Sequence, residues 1–527
     1  MALGRASGIA LVGLRGHVVN VEAHMSAGLP GFTLIGLPDT SLSEARDRVR
    51  AAITSCGIEF PARKITVNLA PAALPKSGSG FDVSIAVSVL GACGAIEQDH
   101  VKTTAFVGEV GLDGRVHAVR GVLPAVHAAK LAGYSRIVVP AENLGEASLI
   151  TGVDVQGVWH LGDVVRGLGG DVSVECEDPR RAVTDAHHGD GTRELHAAQT
   201  ASRPAGQPAA RAIDMSEVLG QESAKHALEI AAAGGHNLLL IGPPGTGKTM
   251  LAQRLPTILP ELSHDQALES ASIHSLSGTF DATSGLRLDP PFEAPHHTAT
   301  PVAIIGGGSG VLRPGAISRA HHGVLFLDEA PEFSTRVLQT LRQPIESGEV
   351  VVQRASGAAT FPADFQLVVA ANPCPCGNSY GNGAGCVCTS IQRRRYIHRL
   401  SGPLLDRIDL QVQVLPVSPG KLGDPPESSA KIRARVQDAR RIAQERYAGT
   451  GWTTNAQASG SWLRAWLGRS HPALKELNAL TERGAITMRG ADRVLRVAAT
   501  TCDLEQGTTL TVESVMSALS LRTRVGE

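Results

Sequence analysis

At 527 residues the chain is too long for one ordinary core, and two or three domains are expected. A formal net charge of −1 excludes a global field directed at nucleic acid or membrane, so any basic site must be local. Aromatic residues at 3% disfavour an extended base-stacking platform, and the sequence holds no apolar run of about 18 residues able to span a membrane.

The opening residues, Met1 to Gly8, lead into Gly- and charge-broken sequence rather than a signal-peptide core, so a cytoplasmic location is expected. Up to residue 168, strand-like runs at 65–69 and 136–139 alternate with helix-like segments at 43–55, 84–92 and 124–132, which predicts a mixed α/β domain. From 178 to 212 apolar residues thin out in favour of Pro, Ala, Arg, His and Gly, the composition of a flexible linker. The expected division is therefore an N-terminal domain at 1–175, a linker at 176–212, a nucleotide-binding domain at 213–415 and a helical region at 416–527.

In the second domain the apolar run 237–241 leads into Gly242-Pro243-Pro244-Gly245-Thr246-Gly247-Lys248-Thr249, which fits G-x-x-x-x-G-K-[ST] between a strand and a helix. In such a loop backbone N–H groups face a phosphate, the lysine meets the β and γ oxygens, and the hydroxyl meets Mg²⁺. A second apolar run, 323–327, ends in Asp328-Glu329, where Asp328 is placed to hold Mg²⁺ beside Thr249 and Glu329 to activate water. A third, 365–371, ends at Asn372, which can bond the γ-phosphate or that water. Strands separated by helical segments predict a parallel sheet with ligand groups at its carboxyl ends.

Residues 401–409 put Arg407 in a turn-to-helix context, either as an arginine reaching a neighbouring subunit's γ-phosphate or as a salt bridge to Asp406 or Asp409. Beyond 416–426 helices are expected at 428–447, 462–467, 473–482, 491–501 and 512–521. In the first of these Ile432, Val436, Ala439 and Ala443 mark one apolar face. Arg489 opens a later helix as the candidate cis arginine over the nucleotide, with Arg493 as the alternative.

Four of the eight cysteines fall within fifteen positions, as Cys374-x-Cys376 and Cys386-x-Cys388. Four thiolates on one loop suit a structural, closed Zn²⁺ site; free thiols or a redox pair are the competing readings. Arg393, Arg394, Arg395 and Arg399 follow, as a phosphate contact or as a solvated or subunit-facing basic helix.

The order of P-loop, Asp-Glu strand end, Asn strand end, arginine and helical-lid arginine resembles AAA+ ATPases. The strings Pro291-Phe292-Glu293-Ala294-Pro295-His296-His297-Thr298, Arg313-Pro314-Gly315-Ala316-Ile317-Ser318-Arg319-Ala320-His321 and Asn372-Pro373-Cys374-Pro375-Cys376-Gly377 resemble the magnesium-chelatase-like group, and within it the YifB/ComM family. The resemblance implies ATP and Mg²⁺ as ligands, a helix-2 insert over 279–310 and a pre-sensor hairpin, and residues 344–354 read independently as a hairpin with a Gly-containing turn. It further implies a homo-hexameric ring motor, with single-stranded or branched DNA as the partner. The activity implied is a helicase promoting branch migration in recombination and DNA uptake; a chelatase- or chaperone-like ATPase remodelling a protein is the alternative. His296 and His297 read as metal ligands or, more simply, as structural loop residues.

In the N-terminal domain, Pro75-Lys76-Ser77-Gly78-Ser79-Gly80-Phe81-Asp82-Val83 and the Gly-Glu-Val stretch at 108–110 resemble the proteolytic domain of Lon, an S5-like fold. Alignment puts Gly80 at the nucleophile and Leu123 at the lysine, and neither can attack a carbonyl or take a proton. Ser77 and Ser79 lie nearby without that lysine. An inactive module serving assembly or a protein partner is expected.

Overall fold

The computed structural model describes residues 2–36, 40–74, 76, 78–172, 213–308, 312–354, 357–380, 385–400, 402–417 and 426–522. The expected linker, 176–212, lies wholly outside them. The N-terminal part is built on a seven-stranded mixed sheet ordered Gly31–Ile35, Lys64–Ala70, Arg15–Ser26, Ala2–Val12, Thr104–Phe106, Arg136–Pro140, Asp154–Val158. Alternation places Ile65, Val67 and Leu69 inward from Lys64–Ala70, and the helices Thr40–Ser55 and Asp82–Cys93 cover that face.

The nucleotide domain carries a five-stranded parallel sheet ordered Phe292–Glu293, Val324–Leu327, Gln366–Ala371, Leu238–Ile241, Leu410–Gln413. Its three central strands are buried at every position, as strands covered on both faces must be. Each buried Leu, Val or Ile side chain contributes about 1.5–3 kcal/mol relative to exposure. This sheet turns consecutive apolar runs into a row of strand ends that carry the chemistry.

Two expectations are corrected here. The segment 279–310 is not wholly an insert, because Phe292–Glu293 pairs with Val324–Leu327 as the sheet's edge strand. The hairpin does not turn at Gly348. That glycine, at φ +69°, ends the helix Arg342–Ser347 by donating its N–H to the Pro344 carbonyl at 2.8 Å. The strands that pair are Glu349–Arg354 and Gly357–Pro362.

The C-terminal region is helical. In Ser429–Arg446 the side chains of Ile432, Val436, Ala439 and Ala443 are buried, as the periodicity predicts, and they join one core with Glu222–Gly234 and the P-loop helix Lys248–Ile258. The helix Met488–Leu504 lies toward the amino-terminal ends of the parallel strands. There Thr500 Oγ1 meets His236 Nε2 at 2.7 Å, and Arg493 Nη1 donates to the Ile408 carbonyl at 3.1 Å.

The N-terminal part docks onto the nucleotide domain through the helix His264–Ser277, whose Ala271 enters the core around Val122–Leu131. A second contact is made by Gly13, at φ +63° in the turn between the first two strands. A Cβ at that position would lie 2.5 Å from the Thr360 carbonyl oxygen of the hairpin.

Candidate nucleotide-binding site

The P-loop joins the carboxyl end of Leu238–Ile241 to the helix Lys248–Ile258, so Gly242, Pro243, Pro244, Gly245, Thr246 and Gly247 curl over the helix N-terminus. Thr246 Oγ1 donates to the Pro243 carbonyl at 2.9 Å, bracing the loop. The Lys248 ammonium is buried and donates to the carbonyls of Gly242 and Pro243 at 2.7 and 2.9 Å and to Asn372 Oδ1 at 3.2 Å. Burial lowers its pKa, opposed by the charges of Asp328 and Glu329.

Thr249 Oγ1 donates to Asp328 Oδ2 at 2.7 Å, bringing the two expected Mg²⁺ groups together across the domain. This hydroxyl and carboxylate are hard oxygen donors of the kind Mg²⁺ accepts. Glu329 sits in the left-handed region at φ +49°, a strained conformation for a residue with a side chain. Its own N–H donates to Asp328 Oδ1 at 2.9 Å, which helps hold the turn. His297 Nδ1 stands 3.5 Å from Glu329 Oε2. This histidine escaped sequence reasoning as a neighbour of Glu329. The missing signal is the two-residue strand Phe292–Glu293, which carries the following loop to the same edge as Glu329.

Arg407 lies elsewhere. Its N–H closes a turn on Leu404 O at 2.9 Å, just before Leu410–Gln413, and Leu410 pairs with Leu238 at the start of the P-loop strand. Arg407 therefore stands at the amino-terminal ends of the strands, opposite the carboxyl ends that lead to Lys248 and Thr249 of the same chain. Its ion-pair partner is Glu346 of Arg342–Ser347, in place of the expected Asp406 or Asp409. Arg493 is at this end too, with Nε 3.7 Å from Asp409 Oδ1. Arg489, exposed and one helical turn earlier, lies at the start of the same helix. Arg407, Glu346, Asp409, Arg440, Arg493 and Arg496 line a groove of about 1180 Å³.

The four clustered cysteines converge, all Sγ atoms lying within 4.8 Å of one another. Cys374 to Cys376, Cys374 to Cys386 and Cys376 to Cys386 are separated by 3.3, 3.7 and 3.8 Å. Four sulfurs bonded at about 2.3 Å to a tetrahedral zinc would stand about 3.8 Å apart, so the donor set fits that ion. Backbone N–H groups of Asn378 and Val387 pull the Cys376 thiol down to about 6, while burial pushes Cys374 up to about 11.

Models for the magnesium chelatase subunit ChlI match residues 214–422, for the ChlI subunit 21–143, and for the ChlI C-terminal part 426–522. An uncharacterised protein of Mycobacterium bovis is 46% identical over 99% of both chains. The Escherichia coli protein YifB is 40% identical over 97% of this chain and 96% of its own, and the Haemophilus influenzae competence protein ComM is 39% identical over 98% and 96%. The chain belongs to the magnesium-chelatase-like YifB/ComM family. It is therefore an AAA+ ATPase of that group, and the strand order above is how this family member assembles its nucleotide site.

A local match to the Lon protease of Mycolicibacterium smegmatis, 30% identical over 31% of this chain and 22% of that protein, agrees with the Lon-like N-terminal resemblance. In this YifB/ComM chain Leu123 is fully buried and the Gly80 carbonyl accepts from Gly108 N–H at 3.0 Å. Ser79 Oγ donates to the Glu109 carboxylate, and Ser77 lies outside the described residues. Lys76 is buried against the carbonyls of Gly36 and Pro71, and burial lowers its pKa. Arg393 Nη1 donates to Ser379 Oγ at 3.2 Å and Arg399 Nη1 to Glu332 Oε2 at 3.3 Å, whereas Arg394 and Arg395 are exposed along the helix Ser390–His398.

One cluster not anticipated joins Glu269 to His321 and His322, each Nε2 being 3.2 Å from Glu269 Oε2. The Asp364 N–H donates to His321 Nδ1 at 3.0 Å, so the ring proton sits on Nε2 and faces the carboxylate. Of the two rings, His322 Nε2 is hydrogen-bonded to the exposed Glu269 carboxylate, while His321 Nε2 is close to it without a hydrogen bond.

Proposed function

We propose that this protein is the subunit of an ATP-driven homo-hexameric ring motor acting on single-stranded or branched DNA. The observation that supports the reading is that Lys248, Thr249, Asp328, Glu329 and Asn372 gather at the carboxyl ends of the parallel strands while Arg407 stands at their amino-terminal ends. A ring in which each nucleotide site meets the Arg407 side of the next subunit would complete the site from two chains. In this reading the P-loop amides and Lys248 bind the triphosphate, and Thr249 and Asp328 hold Mg²⁺, which neutralises phosphate charge. Glu329 takes the proton of the attacking water, Asn372 orients it, and Arg407 of the neighbouring subunit offsets charge developing in the transition state. Arg489 and Arg493, on the Arg407 side, act on the neighbour's nucleotide in the same way. The four cysteines hold zinc.

The DNA assignment is supported by the name of the ComM relative, a competence protein, and by the exposed Arg394 and Arg395. The N-terminal part is read as an inactive Lon-like module for assembly or partner binding. The chelatase-family matches favour a second reading, remodelling of a protein. The deciding measurement is ATPase rate with and without single-stranded and branched DNA across a salt series. Stimulation that weakens with salt supports the DNA motor; a rate indifferent to DNA, with no salt-dependent binding, overturns it in favour of the protein remodeller.

A further inference from the structure

We propose that the four-cysteine loop is a zinc-held wall of the nucleotide site, and that metal occupancy sets the shape of the P-loop through Gly377. The inference rests on the nucleotide-binding reading of residues 242–249. Three contacts carry it. Asn372, which bonds Lys248, is followed after one proline by Cys374, a fully buried first cysteine. The Gly377 N–H then donates to the Cys374 carbonyl at 3.0 Å, closing a turn. At that turn Gly377 takes φ +78°, and a Cβ there would stand 2.5 Å from Pro244 Cδ and 2.8 Å from its Cγ. Only glycine fits, on both backbone and steric grounds.

The turn is thus pressed against the P-loop between its first and second glycines. Its other side is fixed by the sulfur cluster, since Cys376 is the residue before Gly377 and its Sγ stands 3.8 Å from that of Cys386 across the loop. These four cysteines are free of disulfides, and only weak sulfur contacts of 3.3–3.8 Å link Cys374, Cys376 and Cys386. A bound zinc would bond all four sulfurs and fix Cys374 and Cys376 to Cys386 and Cys388, which holds Gly377 on Pro244. Without it the turn is released from the sulfur cluster, and the P-loop loses the wall beside its prolines. A four-cysteine site leaves no open coordination position, so the ion shapes the loop and takes no part in hydrolysis.

The full-length protein is assayed for zinc by elemental analysis and for affinity toward a fluorescent ADP analogue. Wild type should carry about one zinc per chain. Stripping the folded protein with a chelator should weaken ADP binding at least tenfold, and adding Zn²⁺ back should restore it. Gly377→Ala should keep its zinc yet bind ADP at least tenfold more weakly, which separates the Pro244 contact from metal loss. Replacing Cys386 and Cys388 together by Ser should lose both zinc and affinity. Wild type purified without zinc and gaining none on addition overturns the proposal, as does metal removal that leaves ADP affinity unchanged. Wild type that holds zinc but binds no nucleotide would instead overturn the P-loop reading.

Discussion

Glu329 illustrates how much a single side chain depends on its neighbours. Its strained left-handed backbone and the bond to Asp328 aim the carboxylate, and His297 is 3.5 Å away at the tip of that carboxylate. Glu329→Gln keeps the shape and removes the base, so turnover should fall at least 100-fold while ATP affinity is retained; steady-state kinetics beside equilibrium nucleotide binding checks both halves. Rapid turnover in that variant would remove Glu329 from the mechanism. His297→Ala frees the carboxylate of its neighbour without touching the P-loop, so kcat should change several-fold with ADP affinity held. A change confined to affinity would show that His297 serves the loop and not Glu329. The Asp-Glu pair was legible because it ends an apolar run. His297 was not, because a residue in a loop gives no sign of what its ring faces until the strand before it is placed.

At the scale of elements, legibility followed length. The central strands announce themselves as uninterrupted apolar runs, and the buried face of Ser429–Arg446 as a 3.6-residue period. Phe292–Glu293 has two residues, too few for any period, and it was absorbed into an insert. Gly348 was misassigned for a different reason. A left-handed glycine serves a helix end and a hairpin turn equally well, and only the bond from its N–H to Pro344 tells them apart. The cap makes a prediction: Gly348→Ala meets open space yet strains the backbone, so thermal unfolding should report a loss of about 1 kcal/mol. An unchanged melting temperature would deny the glycine that role.

For the whole molecule, the proposed ring, with Arg407 held apart from its own P-loop, makes a prediction about assembly. Arg407→Ala should lower turnover about 1000-fold or more while nucleotide affinity in the isolated subunit is kept. Mixing that variant with Lys248→Ala should recover turnover, because an interface between the two can unite an intact P-loop with an intact arginine. Mixtures that stay silent under conditions where rings form would argue that Arg407 is only the partner of Glu346. None of this was readable from the neutral overall charge. It follows from which end of a strand each residue occupies, and strand direction is fixed by the fold.

The contact of Gly13 with Thr360 has a mechanical meaning. The first turn of the chain rests its backbone on the second strand of the hairpin, while the helix His264–Ser277 grips the same N-terminal domain from another side. The hairpin and the helix therefore tie the two domains at two separate places, so any displacement of the hairpin relative to the N-terminal domain has to open the close approach of Gly13 to Thr360.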